Sequence, residues 1–372
     1  VISTITFRVY EHGGSVPIAT ATAAPDTTVQ LEIPTPHLWS PNEPYLYDYT
    51  ATLGNGSDNV VGYFGLRSFR VGRAGNSTTA RPLLNDKATF LAGWLDQSWW
   101  PDGQYTAPTD EALASDVTAA MMFGLNMIRL HMKVNPERWY YHADIHGVVV
   151  FQDMPQLFVK PTMAGPEVIP AFIADLTAMI VGRKNHPCIV QFIVTNEDDC
   201  WEIFNSTASY SLSKLLELVR SLAPSHVIDM NSGSSTLWQT TTAGMSLGDV
   251  NDYHTYPSPT RIPNATETQY AMVGEFGGIG AFVKEHNWGN CFAYLTVNTP
   301  LEEAKAYMNM TKFLIAASGQ ISASVYTQIT DVEEECDGFL NYDRTNKFDD
   351  VTTKAIAAAN QALIDGLSHP KL

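Results

Sequence analysis

Residues 189–199 read IVQFIVTNEDD, an apolar run that ends in a cluster of polar and acidic side chains. The apolar part, residues 189–195, has the length and the β-branched content of a strand that is buried on both faces. The polar part begins at Asn196 and Glu197, where such a strand would end. Parallel strands carry ligand sites at their carboxyl ends in barrels and in open sheets. The segment therefore predicts a parallel α/β domain with a site beside Glu197.

Seven further apolar runs of strand length are separated by helical patterns. Together the eight predicted strands cover residues 89–93, 127–131, 148–152, 189–195, 227–231, 249–254, 271–275 and 322–326. Thr109 is a predicted helix N-cap, and a second helix is expected to end at Gly147. Eight strand–helix units in roughly 290 residues predict a (β/α)8 TIM barrel of the α/β class. A doubly wound sheet is the alternative, but no glycine-rich phosphate loop follows the first strand.

Residues 1–72 instead alternate apolar and polar side chains with a period of two, as in residues 4–10 and 29–33. Prolines and glycines interrupt the alternation, as in the turns of an antiparallel sandwich. The sequence thus predicts a partial immunoglobulin-like β-sandwich over 1–72 and a catalytic barrel over 73–372. An immunoglobulin-like sandwich usually has about 100 residues. We therefore expect upstream polypeptide of the same precursor to complete the first domain.

Composition excludes several classes of partner. The chain has 22 basic and 39 acidic residues and a net charge of -17, whereas binding to nucleic acid needs clustered Lys and Arg. No apolar run approaches the roughly 20 residues of a membrane-spanning helix. The four cysteines lack the C-x-x-C spacing of zinc or redox motifs, so neither kind of motif is expected. No metal and no cofactor are assigned. Homo-oligomerisation is left open.

The sequons favour a secreted, extracellular protein, and two of the cysteines are candidates for a disulfide. Five Asn-X-Ser/Thr sequons are candidate glycosylation sites: Asn55, Asn76, Asn205, Asn264 and Asn309. Cys291 follows the seventh predicted strand and Cys336 follows the eighth, so their loops are neighbours in a barrel. We predict a disulfide between these two cysteines, with Cys188 as a buried free thiol.

The carboxyl ends of the predicted strands collect polar and aromatic side chains. The candidates are Asp96, Arg129, His131, Asp153, Asn196, Glu197, Tyr253, His254, Glu275 and Tyr326. Carboxylates beside aromatic rings suit a carbohydrate substrate, because sugars need acid/base groups, hydroxyl acceptors and flat apolar faces. Glu197 and Glu275, after strands four and seven, can face each other across a glycosidic bond. A buried ion-pair network at the rim is the alternative interpretation.

Two charged segments of the late loops are interpreted as surface. The run Glu333-Glu334-Glu335 is expected to be a solvated loop, with the wall of a sugar subsite as the alternative. Asn346-Lys347 is expected on the surface.

Several segments in chain order resemble glycoside hydrolase family 2. Residues 37–47 (HLWSPNEPYLY) and 62–67 (GYFGLR) resemble the end of the family's immunoglobulin-like domain. The resemblance continues with the family's strand-two, acid/base and nucleophile segments: NMIRLH at 126–131, NHP at 185–187 followed by Asn196-Glu197, and GEFG at 274–277. The family's usual N-terminal jelly-roll domain has no counterpart in this chain.

The resemblance implies a retaining exo-β-glycosidase that hydrolyses terminal β-linked sugars by a two-glutamate double displacement. It implies Glu197 as general acid/base and Glu275 as nucleophile. Asn196 would bind the hydroxyl next to the reacting carbon, and Arg129 would hold Glu275 ionised. The further substrate-binding candidates are His131, Asp96, Asp153, Tyr326 and Tyr253 or His254, of which the last two would border Glu275.

The sugar and the mode of action stay open. A β-galactoside is favoured, and β-glucuronidase, β-mannosidase or β-galactofuranosidase activity are the alternatives. The choice stays open because neither the strand-eight Trp of the family's galactosidases nor the Asn-x-Lys pair of its glucuronidases is evident. An endo-acting glycanase would need an open cleft in place of a pocket. A catalytically inactive relative, glycan-binding or structural, is the alternative from another class.

Overall fold

The computed structural model describes residues 4–54, 56–75, 77–157, 165–197, 211–233 and 247–366. These residues form the strands β1 (Ile5–Glu11), β2 (Pro17–Ala23), β3 (Tyr47–Leu53), β4 (Asn59–Phe64), β5 (Phe69–Gly72), β6 (Arg81–Leu84), β7 (Lys87–Ala88), β8 (Leu91–Asp96), β9 (Met127–Leu130), β10 (Val149–Asp153), β11 (Ile189–Ile193), β12 (Val227–Asp229), β13 (Val250–Thr255), β14 (Tyr270–Gly277), β15 (Ile279–Ala281), β16 (Leu295–Val297) and β17 (Ala323–Thr327). The helices in them are α1 (Asp110–Met122), α2 (Glu137–His146), α3 (Val168–Arg183), α4 (Leu212–Leu222), α5 (Pro300–Ala317) and α6 (Asp350–Asp365). None of these helices is long and apolar enough to cross a membrane.

The N-terminal region contains an antiparallel sheet in the order β2-β1-β3-β4. Residues 29–33, which alternate apolar and polar side chains in the sequence, join no sheet among the described residues. Their side chains still alternate between half-buried and exposed positions. Leu31 and Ile33 line an apolar cavity of about 310 Å³ together with Phe7 and Val9 of β1. Completion of this sandwich by upstream polypeptide stays a prediction.

The second region is a parallel barrel. Its eight strands are joined in the order β12-β11-β10-β9-β8-β17-β14-β13, and they coincide within a few residues with the eight predicted strands. The N–H of Asp249 donates to the carbonyl of Ile228 at 2.8 Å, a hydrogen bond that connects the two ends of this order. The prediction of a TIM barrel preceded by a sandwich is confirmed, and the doubly wound alternative is excluded by the strand order.

Local signals place the helices around the barrel. Oγ1 of Thr109 accepts a hydrogen bond from the N–H of Ala112 at 3.1 Å, which caps α1 as predicted. Helix α2 ends at Gly147, whose φ of 75° is a conformation that glycine adopts without a steric cost. In α4, Leu215 and Val219 face the core at helical spacing. The barrel is thereby covered on its outside.

The N-terminal region contacts the end of the barrel at which β11 begins. The hydroxyl of Tyr63 donates to Oδ2 of Asp144 at 2.8 Å, and the indole N–H of Trp39 donates to the carbonyl of the same residue at 2.8 Å. Arg67 donates to the carbonyl of Pro187 at 3.1 Å. Both domains therefore meet away from the carboxyl ends of the strands. The boundary at residue 72 stays a prediction, and β5 pairs with β6 across it.

Cysteines and sequons lie as follows. Cys291 and Cys336 form the predicted disulfide, with Cα atoms 5.4 Å apart, and Cys188 is buried with a free thiol as predicted. Asn264 and Asn309 are exposed. The other three sequons, at Asn55, Asn76 and Asn205, lie outside the described residues.

Candidate active site

Arg129 forms the floor of the site at the carboxyl end of β9. Its side chain is fully buried, and its guanidinium donates to three side chains of neighbouring strands. The distances are 2.9 Å from Nη1 to Oε1 of Glu275, 2.9 Å from Nη2 to Oδ2 of Asp153 and 2.7 Å from Nη2 to Oδ1 of Asn196. One buried cation thus orients two carboxylates and an amide. The planar guanidinium of Arg, with several N–H donors, is well suited to such multiple hydrogen bonds.

Glu275 is a buried carboxylate that stays ionised. Burial alone would raise its pKa, but the positive charges of His254 and Arg129 and a hydrogen bond from Tyr256 lower it to about 2. The hydroxyl of Tyr256 donates to Oε2 at 2.6 Å, opposite the oxygen that Arg129 binds. A fixed, anionic carboxylate with little water around it can act as a nucleophile.

Glu197 follows β11 and is the more exposed of the two glutamates, with 53% of its side chain accessible. Its φ of 48° lies in the left-handed region, which is uncommon for a residue with a side chain and frequent at functional sites. The N–H of Glu197 donates to the carbonyl of Ser232 at 2.9 Å. Oε1 of Glu197 lies 2.8 Å from Nδ1 of His254.

His254 lies between the two glutamates. Its Nδ1 is also 3.4 Å from Oε2 of Glu275, and single oxygens of Glu197 and Glu275 lie within 4.8 Å of each other and of a ring nitrogen. On the other side, Nε2 of His254 lies 2.9 Å from Oγ of Ser232, which donates to Asp252 at 2.5 Å. Burial lowers the pKa of His254, but the charge of Glu275 and the contact with Glu197 outweigh it and raise the pKa.

The same three atoms are close enough to hold a metal ion, since two carboxylates and an imidazole are common metal ligands. Each of them is already engaged in hydrogen bonds within the cluster. We therefore interpret the group as an acid/base cluster, with Glu197 facing solvent and Glu275 facing the buried guanidinium.

The structure brings Asp153, His131 and Asn196, three of the predicted site residues, into the same cluster. Oδ2 of Asp153 lies 2.9 Å from Nδ1 of His131, and this contact leaves Nε2 of the ring for another partner. Burial raises the pKa of Asp153, but the charges of Arg129 and His131 lower it further and keep it ionised. Asn196 uses its amide oxygen for Arg129, so its amide nitrogen remains for a hydroxyl.

Three predicted residues are not part of the cluster. Asp96 is fully buried beside Asp116, and it follows Trp94 on the strand face that packs against Phe123 and the helices. Tyr253 lies on the opposite face of β13 from His254, and its ring packs under the guanidinium of Arg261 at 4.7 Å. Tyr326 is another buried ring, and its hydroxyl bonds to the backbone of Ile279 and Asp337. The expectation that these three bind substrate is corrected.

Tyr256 was missed by the sequence analysis. It lies one residue beyond the end of β13, where a turn at Pro257 returns its hydroxyl to Glu275. The ring of Tyr294 stacks on it with centroids 3.9 Å apart. An aromatic residue directly before a proline at a strand's carboxyl end was the available signal.

Two charged residues of the loops after β17 are less exposed than the sequence predicts. Glu335 is half-buried and accepts hydrogen bonds from Gln97 and Gln328, so the expectation of a solvated loop is wrong for this residue. Lys347 is also wrongly expected at the surface, because its ammonium is buried and lies 2.8 Å from Oδ1 of Asp331.

Comparison with proteins of known structure supports the fold. The β-glucuronidase of Bifidobacterium dentium complexed with coumarin-3-O-glucuronide superposes with a TM-score of 0.74, at 17% identity, over 96% of this chain and 61% of that chain. A β-galacturonidase of Eisenbergiella tayi bound to galacturonate gives a TM-score of 0.72, at 18% identity, over 96% of this chain and 66% of that chain.

Curated relatives include two β-galactosidases. That of Alteromonas mediterranea is 26% identical over 178 residues, which cover 45% of this chain and 16% of that protein. That of Halalkalibacterium halodurans is 23% identical over 306 residues, which cover 75% of this chain and 28% of that protein. The chain therefore corresponds to a minor part of these much longer relatives.

Two family models match the chain in order. The model of glycosyl hydrolases family 2 matches residues 3–67, and the model of that family's TIM barrel domain matches residues 83–275, which is more than half of the chain. The second match includes both Glu197 and Glu275. The chain belongs to glycosyl hydrolases family 2.

Proposed function

We propose that this chain is the catalytic part of a retaining exo-β-glycosidase that removes terminal β-linked galactosyl groups. The observation that carries the proposal is the close pair of carboxylates, whose nearest oxygens lie within 4.8 Å. Retaining glycosidases hold their two carboxyl groups about 5–5.5 Å apart, whereas inverting enzymes need about 6.5–9.5 Å to fit a water. The spacing of Glu197 and Glu275 therefore favours retention of configuration.

Different surroundings fit the two glutamates to different roles. Glu275, held ionised by Arg129 and Tyr256, attacks the anomeric carbon, and the glycosidic bond breaks as the glycosyl ester forms. Glu197 gives its proton to the departing oxygen from the solvent side. It then takes a proton from water, whose oxygen attacks the anomeric carbon and releases Glu275. His254 contacts both carboxylates and keeps them in register.

A terminal β-galactoside is the substrate that the comparisons favour. The curated relatives of this chain are named as β-galactosidases, whereas the structural neighbours at lower identity are named as a β-glucuronidase and a β-galacturonidase. All three activities act on a pyranoside with an equatorial leaving group, which the same pair of glutamates serves. The wall of the pocket must therefore select the sugar.

A panel of p-nitrophenyl β-glycosides tests the proposal. We expect turnover of at least one terminal hexoside and a loss of turnover by about 10⁴-fold or more in Glu275→Gln, because the covalent step needs the carboxylate. Glu217→Gln, an equal change on the exposed face of α4, should keep wild-type activity. A wild-type protein that hydrolyses no member of the panel would instead be the inactive, glycan-binding relative.

We further infer that the protein is secreted and glycosylated. A disulfide between two loops is favoured in an oxidising compartment. Asn264 and Asn309 are accessible for modification. Mass spectrometry of tryptic peptides of the native protein, with and without enzymatic deglycosylation, tests this inference. Unmodified peptides at both asparagines would contradict it.

A further inference from the structure

Glu335 places a third carboxylate on the rim of the barrel. It lies in the loop after β17, and its backbone pairs with Phe292 of the loop between β15 and β16. The disulfide between Cys291 and Cys336 joins the same two loops. Because the backbone is tied by both connections, the carboxylate of Glu335 has a defined position.

Two side-chain amides orient this carboxylate. Gln97 and Gln328 each donate from Nε2 to Oε2 of Glu335 at 2.9 Å. Gln97 follows β8 and Gln328 follows β17, so Glu335 covers the ends of two adjacent strands. Both hydrogen bonds use Oε2, which leaves Oε1 as an acceptor for a hydroxyl. We call these three side chains the amide–carboxylate wall.

The strand order places this wall opposite Glu197. In the ring of eight strands, β11 and β17 are four positions apart, which is half of the circumference. The general acid faces the glycosidic oxygen, so the leaving group lies on the side of Glu197 and of solvent. With Glu275 beneath the anomeric carbon, the remaining ring atoms extend away from Glu197. In this orientation they would point towards the ends of β17 and β8, where the amide–carboxylate wall lies.

Electrostatics agree with this placement. Burial raises the pKa of Glu335 above its ordinary value, and the charge of Glu275 adds to this, although the two amides and the charge of His131 act in the opposite direction. Burial and the charges of Glu335, Glu275 and Glu197, in that order, raise the pKa of Tyr294 to about 12. The contacts of Tyr294 agree: its ring stacks on Tyr256, which donates to Glu275, and packs against Phe292, whose backbone pairs with Glu335.

We propose that Glu335 determines substrate specificity by accepting a hydrogen bond from a hydroxyl of a neutral pyranoside and by repelling the carboxylate of a uronide. The inference rests on the proposed glycosidase function and narrows its substrate class. The amide–carboxylate wall consists of two neutral amides and one acid, and Nε2 of Gln328 also donates to Oδ1 of a second acid, Asp337, at 3.0 Å. A uronate carboxylate would therefore meet acidic groups there. Juxtaposed like charges in a partly dehydrated site oppose binding strongly.

Hydrolysis of matched substrates tests the proposal. p-Nitrophenyl β-D-galactopyranoside and β-D-galacturonide differ only at C6, as do the corresponding glucoside and glucuronide. We expect the wild type to prefer the neutral member of a pair, and Glu335→Gln to shift the ratio of kcat/KM values towards the uronide by about tenfold or more. Glu334→Gln, an exposed neighbour with the same change of charge, should keep the wild-type ratio. An unchanged ratio in Glu335→Gln would overturn the proposal.

Binding separates this inference from the proposed catalysis. Calorimetric titration of the whole chain with galactose and galacturonate, and with glucose and glucuronate, needs no turnover. We expect a preference for the neutral sugar in at least one pair and a smaller preference in Glu335→Gln. No preference in either pair would overturn the inference, even in an active enzyme. A Glu335-dependent preference in a protein without hydrolysis would support it and reject only the proposed catalysis.

Discussion

The hydroxyl of Tyr256 donates a 2.6 Å hydrogen bond to Oε2 of Glu275, whose other oxygen accepts from Arg129 at 2.9 Å. Both oxygens of the buried carboxylate are thus held by donors from different strands. Tyr256 Oη also lies 2.6 Å from Oγ1 of Thr327. The tyrosine therefore both aims Glu275 and contributes to its low pKa.

Tyr256→Phe removes this donor without removing the ring that stacks on Tyr294. We expect kcat/KM to fall by about 10–100-fold, the worth of a hydrogen bond to a charged group. The pKa of Glu275 should rise, so the acidic limb of the pH–rate profile should move to higher pH. Tyr141→Phe, at the opposite end of the barrel, should change neither. An unchanged acidic limb in Tyr256→Phe would contradict the role given to the hydroxyl.

Glu197→Gln should separate substrates by their leaving groups. Protonation matters most for a poor leaving group, so we expect a loss of about 10³-fold or more for a natural glycoside and a much smaller loss in glycosylation by a dinitrophenyl glycoside. Azide should then restore turnover and give the β-glycosyl azide, because it attacks the covalent intermediate. In Glu275→Gly, azide should give the inverted α-azide. The opposite stereochemistry in the two variants would reverse the assignment of the two glutamates.

The ionisation of Glu275 should also be visible in stability. Its pKa in the folded protein, about 2, lies below the ordinary value of 4.5. The ionised carboxylate therefore contributes stability that is fully present above pH 4.5 and is lost as pH falls towards 2, on the order of 3 kcal/mol. The difference in free energy of unfolding between the wild type and Glu275→Gln should shrink over that range. A constant difference, measured by urea unfolding at several pH values, would argue against a buried anion.

The disulfide should stabilise the two loops that carry Phe292 and Glu335. It closes 45 residues, and bridges of this kind contribute about 2–4 kcal/mol. Cys291→Ser with Cys336→Ser should lower the midpoint of thermal unfolding, and dithiothreitol should lower that of the wild type to the same value. Equal midpoints for the variant and the untreated wild type would show that the bridge adds no stability.

Much of the barrel could be predicted because each strand is a short apolar run with a polar end. The sequence does not predict whether the polar residue at a strand's end points into the barrel or towards the helices. A strand that is buried on both sides has no alternation of apolar and polar residues to indicate this. Asp96 shows the consequence: it points with Trp94 towards the helices, although it ends the strand as an active-site residue would. One position along the strand decides between the two faces.

The loops were the weaker part of the prediction. Tyr256 lies just after the end of a strand, and a turn brings its hydroxyl back to Glu275. The periodicity of the sequence does not predict the direction of that turn. Glu335 lies in a charge run that suggests solvent, but the disulfide and the pairing with Phe292 draw it against Gln97. The burial of these loop residues therefore depends on long-range contacts that local composition does not predict.

Covalent trapping tests the proposed nucleophile most directly. A 2-deoxy-2-fluoro-β-galactoside with a dinitrophenyl leaving group should form a glycosyl ester that hydrolyses slowly. The fluorine destabilises both oxocarbenium-like transition states, and the good leaving group keeps the first step fast. Mass spectrometry should show that the mass of the intact protein increases by one fluoroglycosyl group, and peptide mapping should place this group on Glu275. Glu275→Gln should remain unlabelled, and Glu217→Gln should be labelled like the wild type. A label on another residue, or hydrolysis with inversion and no label, would contradict a retaining mechanism through Glu275.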